Sequence, residues 1–163
     1  MIARRPAAVL TFTLLASLAS LVLALVAEHG FGLKPCELCM MQRVPYVVVI
    51  LLALLGLGLP GIRFWATLLI GVAFLVDSGI AGYHAAVEEH WIAGPSACTD
   101  TETKAVQSLD EFLNKIHHAP VVACDQPQWE WNGITMANLN ALWALALAIA
   151  VLASLSRKGA AHA

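Results

Sequence analysis

Four apolar stretches, about Ala7 to Val26, Met40 to Leu59, Phe64 to Val87 and Ala137 to Leu155, approach the roughly 20 residues an α-helix needs to cross a bilayer. With 60% hydrophobic and only 12% charged residues over 163 positions, the chain carries more apolar surface than one small soluble core hides. The reading is an all-α membrane protein, a single domain over 1–163 built as a four-helix transmembrane bundle. Two extracytoplasmic loops, about 27–39 and 88–136, join the spans.

Arg4 and Arg5 before the first span resemble the start of a signal peptide. The apolar run exceeds the usual core of 7–15 residues and no A-x-A-like cleavage site follows, so it is read as a helix. Lysine and arginine placement sets orientation. Arg4, Arg5, Arg63, Arg157 and Lys158 fall on one side, while Lys34, Arg43, Lys104 and Lys115 fall on the other, beside eight acids of the second loop. Both termini are therefore expected in the cytoplasm and both loops outside. The net charge of −2 argues against nucleic acid as a partner.

No repeat or low-complexity tract appears, and the short "GLPGIR" turn (58–63) makes spans two and three antiparallel neighbours. Within the second loop, "SLDEFLNKIHHAP" sets Ser108 and Glu111 at capping-box spacing, with Leu109, Phe112, Leu113 and Ile116 on one face. The spacing predicts a short amphipathic helix ended by Pro120, lying on the bilayer or packed on the rest of the loop. Trp91, Trp129 and Trp131 sit near the membrane boundaries, where aromatic belts anchor a protein.

The chemistry is in "KPCELCMMQR" (34–43). Pro45 to Leu59 is too short to cross the bilayer, so span two is expected to start near Cys39 or Met40, with Pro45 inside the helix. That start sets Cys39 at the helix N-terminus and Arg43 one turn below it on the same face. The helix dipole and the guanidinium would both favour a thiolate, the reactive form. An unpaired arginine at the membrane boundary is costly and implies a ligand or partner, unless it simply snorkels to the interface.

Three readings compete for the two close cysteines. Zinc usually wants a second close pair, whereas Cys98 and Cys124 are far apart in the loop. A structural disulfide is common in outward loops. A C-type haem needs a histidine where Met40 stands. A redox pair explains more, because a C-x-x-C at a helix start lowers one thiol's pKa and makes its disulfide easy to reduce. Cys98 and Cys124 read by default as a loop-closing disulfide, and beside a redox pair as one open to thiol attack. His84, at the outer end of span three, either satisfies a backbone group or serves a cofactor or proton. Asp77, seven residues earlier on the same face, is an acid inside a span, either functional or protonated and bonded to a neighbouring helix.

Three segments, "PCELCMMQR" (35–43), "AGYHAAVEEHW" leading to "GPSAC" (81–98), and "ACDQPQWEWNGITMANLNAL" (123–142), carry a resemblance. In order along the chain, they make it similar to the disulfide bond formation protein B (DsbB) family of bacterial inner-membrane thiol oxidases. The resemblance implies a thiol:quinone oxidoreductase that reoxidises a periplasmic, thioredoxin-like DsbA-type protein and passes electrons to ubiquinone or menaquinone. It also implies the order of exchange. Cys98 takes the partner's attack, Cys124 attacks Cys36, and Cys39 leaves as the thiolate facing the quinone. Arg43 matches the family's quinone-contacting arginine and His84 a histidine beside the ring; no metal is implied. Asp77 has no counterpart in the pattern.

Two rivals remain. A membrane reductant carrying electrons outward needs cysteines reachable from the membrane or cytoplasm, and here all four lie in the outward loops. A disulfide-stabilised structural protein would show no turnover.

Overall fold

In the computed structural model, which describes residues 4–95 and 122–159, four long helices form an up-and-down bundle. They are α1 (Arg4–Gly30), α2 (Glu37–Gly58), α3 (Arg63–Glu88) and α4 (Met136–Gly159). All four contain a segment long and apolar enough to cross a membrane. Backbone groups in hydrocarbon have no water to bond, and a helix satisfies them internally. Cys98 and the expected amphipathic helix at 108–119 lie outside the described residues.

The four helices form an incomplete ring. Helix α3 packs extensively on α4 and on α2, and α2 packs on α1, while α1 and α4 barely touch. The core runs down the middle: Leu10, Val49, Ile70, Phe74 and Val151 are essentially inaccessible. Tyr46 meets Phe74 edge-on, with centroids 6.0 Å apart. Glycines let backbones approach. A Cβ on Gly56 would lie 2.8 Å from a Leu10 methyl, and one on Gly71 would lie 2.5 Å from Leu152. The outer surface is the reverse of a soluble protein's, with Leu15, Leu23, Trp65, Leu142 and Ile149 all largely exposed. A belt of that extent is stable against lipid tails and would aggregate in water.

Helix α2 starts at Glu37, earlier than expected near Cys39 or Met40, because Cys36 serves as its N-cap: its Sγ accepts the Cys39 amide N–H. Pro45 is inside the helix. A short 3₁₀ turn, Pro60–Ile62, reverses the chain into α3. Helix α3 ends at Glu88, and just beyond it His90 takes a left-handed conformation (φ 59°). Ahead of α4, strands β1 (Glu130–Trp131) and β2 (Ile134–Thr135) pair around Asn132 and Gly133, both at positive φ, the Asn-Gly hairpin turn. The Thr135 hydroxyl then accepts the Asn138 amide and caps α4. Of the three loop tryptophans, Trp91 and Trp131 are strongly exposed and Trp129 moderately so.

Candidate functional site

Three groups converge on the sulfur of Cys36. The Cys39 amide lies 3.3 Å away, His84 Nε2 3.4 Å, and the Cys39 sulfur 3.2 Å. Both cysteines are free thiols, at a separation suited to one shared proton. The bond with Cys39 draws the Cys36 thiol down most, burial opposes it, and His84 adds to the lowering, leaving Cys36 at about 4. These contacts favour the anion of the reduced pair on Cys36, the residue that caps the helix.

His84 is held from several directions and is 2% exposed. Gln42 of α2 reaches its Nδ1 at 2.8 Å, and Glu88, one turn along α3, stands 3.5 Å from Nε2. Glu88 in turn accepts the Thr135 hydroxyl, so the hairpin that caps α4 also fixes the acid beside the histidine. Cys124 is disulfide-bonded and shares a buried cluster with Cys36, Leu38 and Val87. The second loop thus brings a disulfide sulfur into the same apolar packing as the first-loop pair.

Arg43 is not turned out into solvent. It lines a cavity of about 420 Å³ together with Cys36, Cys39, Gln42 and His84. Nor is it unpaired: its Nη1 donates to Glu28 of α1 at 2.8 Å. On the side where α1 and α4 barely touch, the cavity is lined by Leu23 and Ala27 of α1 and Leu139 and Trp143 of α4. Trp143 Nε1 donates to Ser20 between those two helices at 3.2 Å. The result is a mostly apolar chamber of ligand size whose lining includes a guanidinium and the thiol pair.

The sulfurs of Cys36 and Cys39 and the His84 ring also lie within 4.8 Å of one another, which is metal-ligand spacing. Which chemistry this fold family uses is decided by kinship: the family model described as "Disulfide bond formation protein DsbB" matches residues 5–154. The chain belongs to the DsbB family. It is 32% identical over 114 residues to a disulfide bond formation protein B of Dechloromonas aromatica, covering 68% of each chain. A protein of that name from Shewanella frigidimarina is 29% identical over 119 residues, 70% of this chain and 69% of that one. An uncharacterised protein of Rickettsia prowazekii is 29% identical over 135 residues, 82% of this chain and 78% of its own. No solved structure matches significantly.

Membership of the DsbB family makes the chain a multi-pass membrane protein of disulfide bond formation, a disulfide-generating oxidoreductase. Of the residues singled out from sequence, Cys36, Cys39, Arg43 and His84 line one cavity, Cys124 packs in the same cluster as Cys36, and Cys98 lies outside the described residues. Sequence reasoning missed Glu28, Gln42, Glu88, Thr135 and Asn140. Gln42 and Glu88 had a usable signal, since each stands at helical spacing from a residue already chosen, three residues after Cys39 and four after His84.

Proposed function

We propose that the chain reoxidises a periplasmic, thioredoxin-like DsbA-type dithiol and passes the electrons through its two cysteine pairs to a membrane quinone. It would do so in the bacterial inner membrane, with both termini in the cytoplasm and both cysteine loops outside. The observation that carries the reading is the shared chamber: a free thiol pair and an arginine line one cavity, and a disulfide-bonded cysteine packs in the same cluster as Cys36.

The chamber fits a quinone head group in chemistry as well as in size. Its walls are aliphatic and aromatic, and Arg43 and Gln42 offer N–H donors of the kind that hold carbonyl oxygens. When bound, a quinone supplies a two-electron acceptor that thiols reduce. Arg43 would orient it and stabilise negative charge there, with Glu28 fixing the direction of the guanidinium.

The protein's own steps are thiol–disulfide exchanges, each a thiolate attacking one sulfur and releasing another. The partner's thiolate attacks Cys98 and frees Cys124, and the partner's second thiol then resolves the mixed disulfide. Cys124 attacks Cys36 of the Cys36–Cys39 disulfide, and Cys39 leaves as a thiolate facing the chamber. Cys98 then attacks Cys124, which releases Cys36, restores the outer disulfide and leaves a first-loop dithiol that a bound quinone would reoxidise. His84 stands close enough to Cys36 for Nε2 to donate a hydrogen bond to that sulfur when it carries charge. The apolar packing around Cys36, only 5% exposed, slows the access of bulk thiols to the intermediate.

Anaerobic incubation of catalytic amounts of the protein with a reduced DsbA-type partner and a soluble quinone tests this reading. Many equivalents of dithiol should be oxidised per protein, with quinone consumed one for one.

A further inference from the structure

Asp77 is fully buried within α3, two turns below His84, and the thiol chemistry above does not use it. An acid at that depth is expensive, and packing alone would be served better by leucine. Its surroundings are polar and connected. On α2, Tyr46 donates its hydroxyl to Asn140 Oδ1 at 2.6 Å. With that oxygen occupied, Asn140 turns Nδ2 the other way, donating to Gln42 Oε1 at 2.8 Å and to Asp77 Oδ2 at 3.3 Å. The Gln42 oxygen being taken in turn, its Nε2 faces His84 Nδ1 at 2.8 Å.

Each link in this chain has a direction. Asp77 Oδ2 accepts from the Asn140 nitrogen, which sets the sense of that amide. The Asn140 nitrogen then selects the Gln42 oxygen, and the Gln42 nitrogen requires a bare Nδ1. A neutral ring so held carries its proton on Nε2, which points at Cys36 Sγ (3.4 Å) and Glu88 Oε1 (3.5 Å).

We propose that Asp77 is a positioning residue for His84: as the acceptor at the closed end of a one-way hydrogen-bond chain, it keeps Nδ1 free of a proton and holds the ring's proton beside Cys36. The proposal deepens the thiol chemistry above and rests on His84 serving Cys36, yet its readout is a ring proton rather than turnover. Failure of the oxidase reading and failure of this arrangement are therefore separable. The titratable and charged groups around the chain are Cys36, Cys39 and Tyr46 from α2 and its cap, and Glu88 from α3, while Asn140 of α4 and the Cys124 backbone supply the uncharged contacts.

The test is nitrogen NMR of the reduced, histidine-labelled full chain in micelles, at a pH high enough to hold the ring neutral, with His84 assigned by loss of its signals in His84→Gln. The native protein should show Nδ1 as a bare acceptor. In Asp77→Asn an amide replaces the acceptor and can face either way, so Asn140 and Gln42 lose their fixed sense. A proton should then appear on Nδ1 in about half the molecules. Simple removal of a nearby negative charge works the other way, because it makes the ring less ready to hold an extra proton. An unchanged, bare Nδ1 in Asp77→Asn overturns the proposal. Should that variant fail to fold, Asn140→Ala breaks the chain one link nearer the ring and must give the same gain; a bare Nδ1 there also overturns it.

Discussion

His84 Nε2 lies 3.4 Å from Cys36 Sγ, a contact between α3 and the cap of α2 that joins residues 48 positions apart. After the bond from Cys39, it adds to what makes the first cysteine, at the helix cap, the electron-rich member of the reduced pair. Two donors from the Cys39 residue, its amide and its thiol, complete the set.

The reduced protein should therefore titrate one thiol far below the ordinary range, at about 4. Because the folded value is depressed, the stability this group contributes is full above the unfolded thiol value and is lost as pH falls through about 4. Thiolate ultraviolet absorbance during acid titration reads it. Replacing His84 by alanine removes one donor and should raise the midpoint by roughly one pH unit; an unmoved midpoint would exclude His84 as a partner of the sulfur.

Arg43→Ala should raise the quinone concentration needed for half-maximal rate by about tenfold or more, the worth of one charge-assisted hydrogen bond, with a smaller change in kcat. Glu28→Gln keeps the guanidinium and loses only the partner that aims it, so its effect should be the smaller of the two. Steady-state rates over a quinone series check both, and an unchanged quinone dependence in Arg43→Ala would remove that residue from the site.

Cys36→Ser and Cys39→Ser should each abolish turnover. Cys98→Ser should block oxidation of a protein dithiol while sparing slow oxidation of small dithiols, which can reach the first-loop pair directly. Equal loss of both activities in Cys98→Ser would contradict the proposed order of attack.

Gly71→Ala should destabilise the bundle relative to Gly79→Ala by about 1–3 kcal/mol, the usual cost of overpacking. A Cβ at Gly71 would meet Leu152 at 2.5 Å, whereas one at Gly79 meets nothing within 4 Å. Both changes gain the same helix propensity, so the difference in thermal unfolding in detergent isolates the packing.

Span number and chemistry were legible in the sequence for a physical reason: bilayer thickness imposes a length, and C-x-x-C followed by Arg43 imposes a motif. Helix rotation was not legible. Glu28 finds Arg43 only because α1 presents that face to α2, and no periodicity within α1, apolar almost all round, announces it. Asp77 drew notice as a charge in a span, but its partners Asn140 and Tyr46 come from two other helices. The Asn132-Gly133 turn was readable as a hairpin; its consequence, Thr135 holding Glu88 beside His84, needed the fold.

The most direct test of the account is the number of dithiols oxidised per protein under anaerobic conditions, with a reduced DsbA-type partner and quinone both in large excess. The account predicts many turnovers, stoichiometric loss of quinone, and a halt when quinone is withheld. Oxidation that stops after the protein's own disulfides are spent, with quinone untouched, would contradict it.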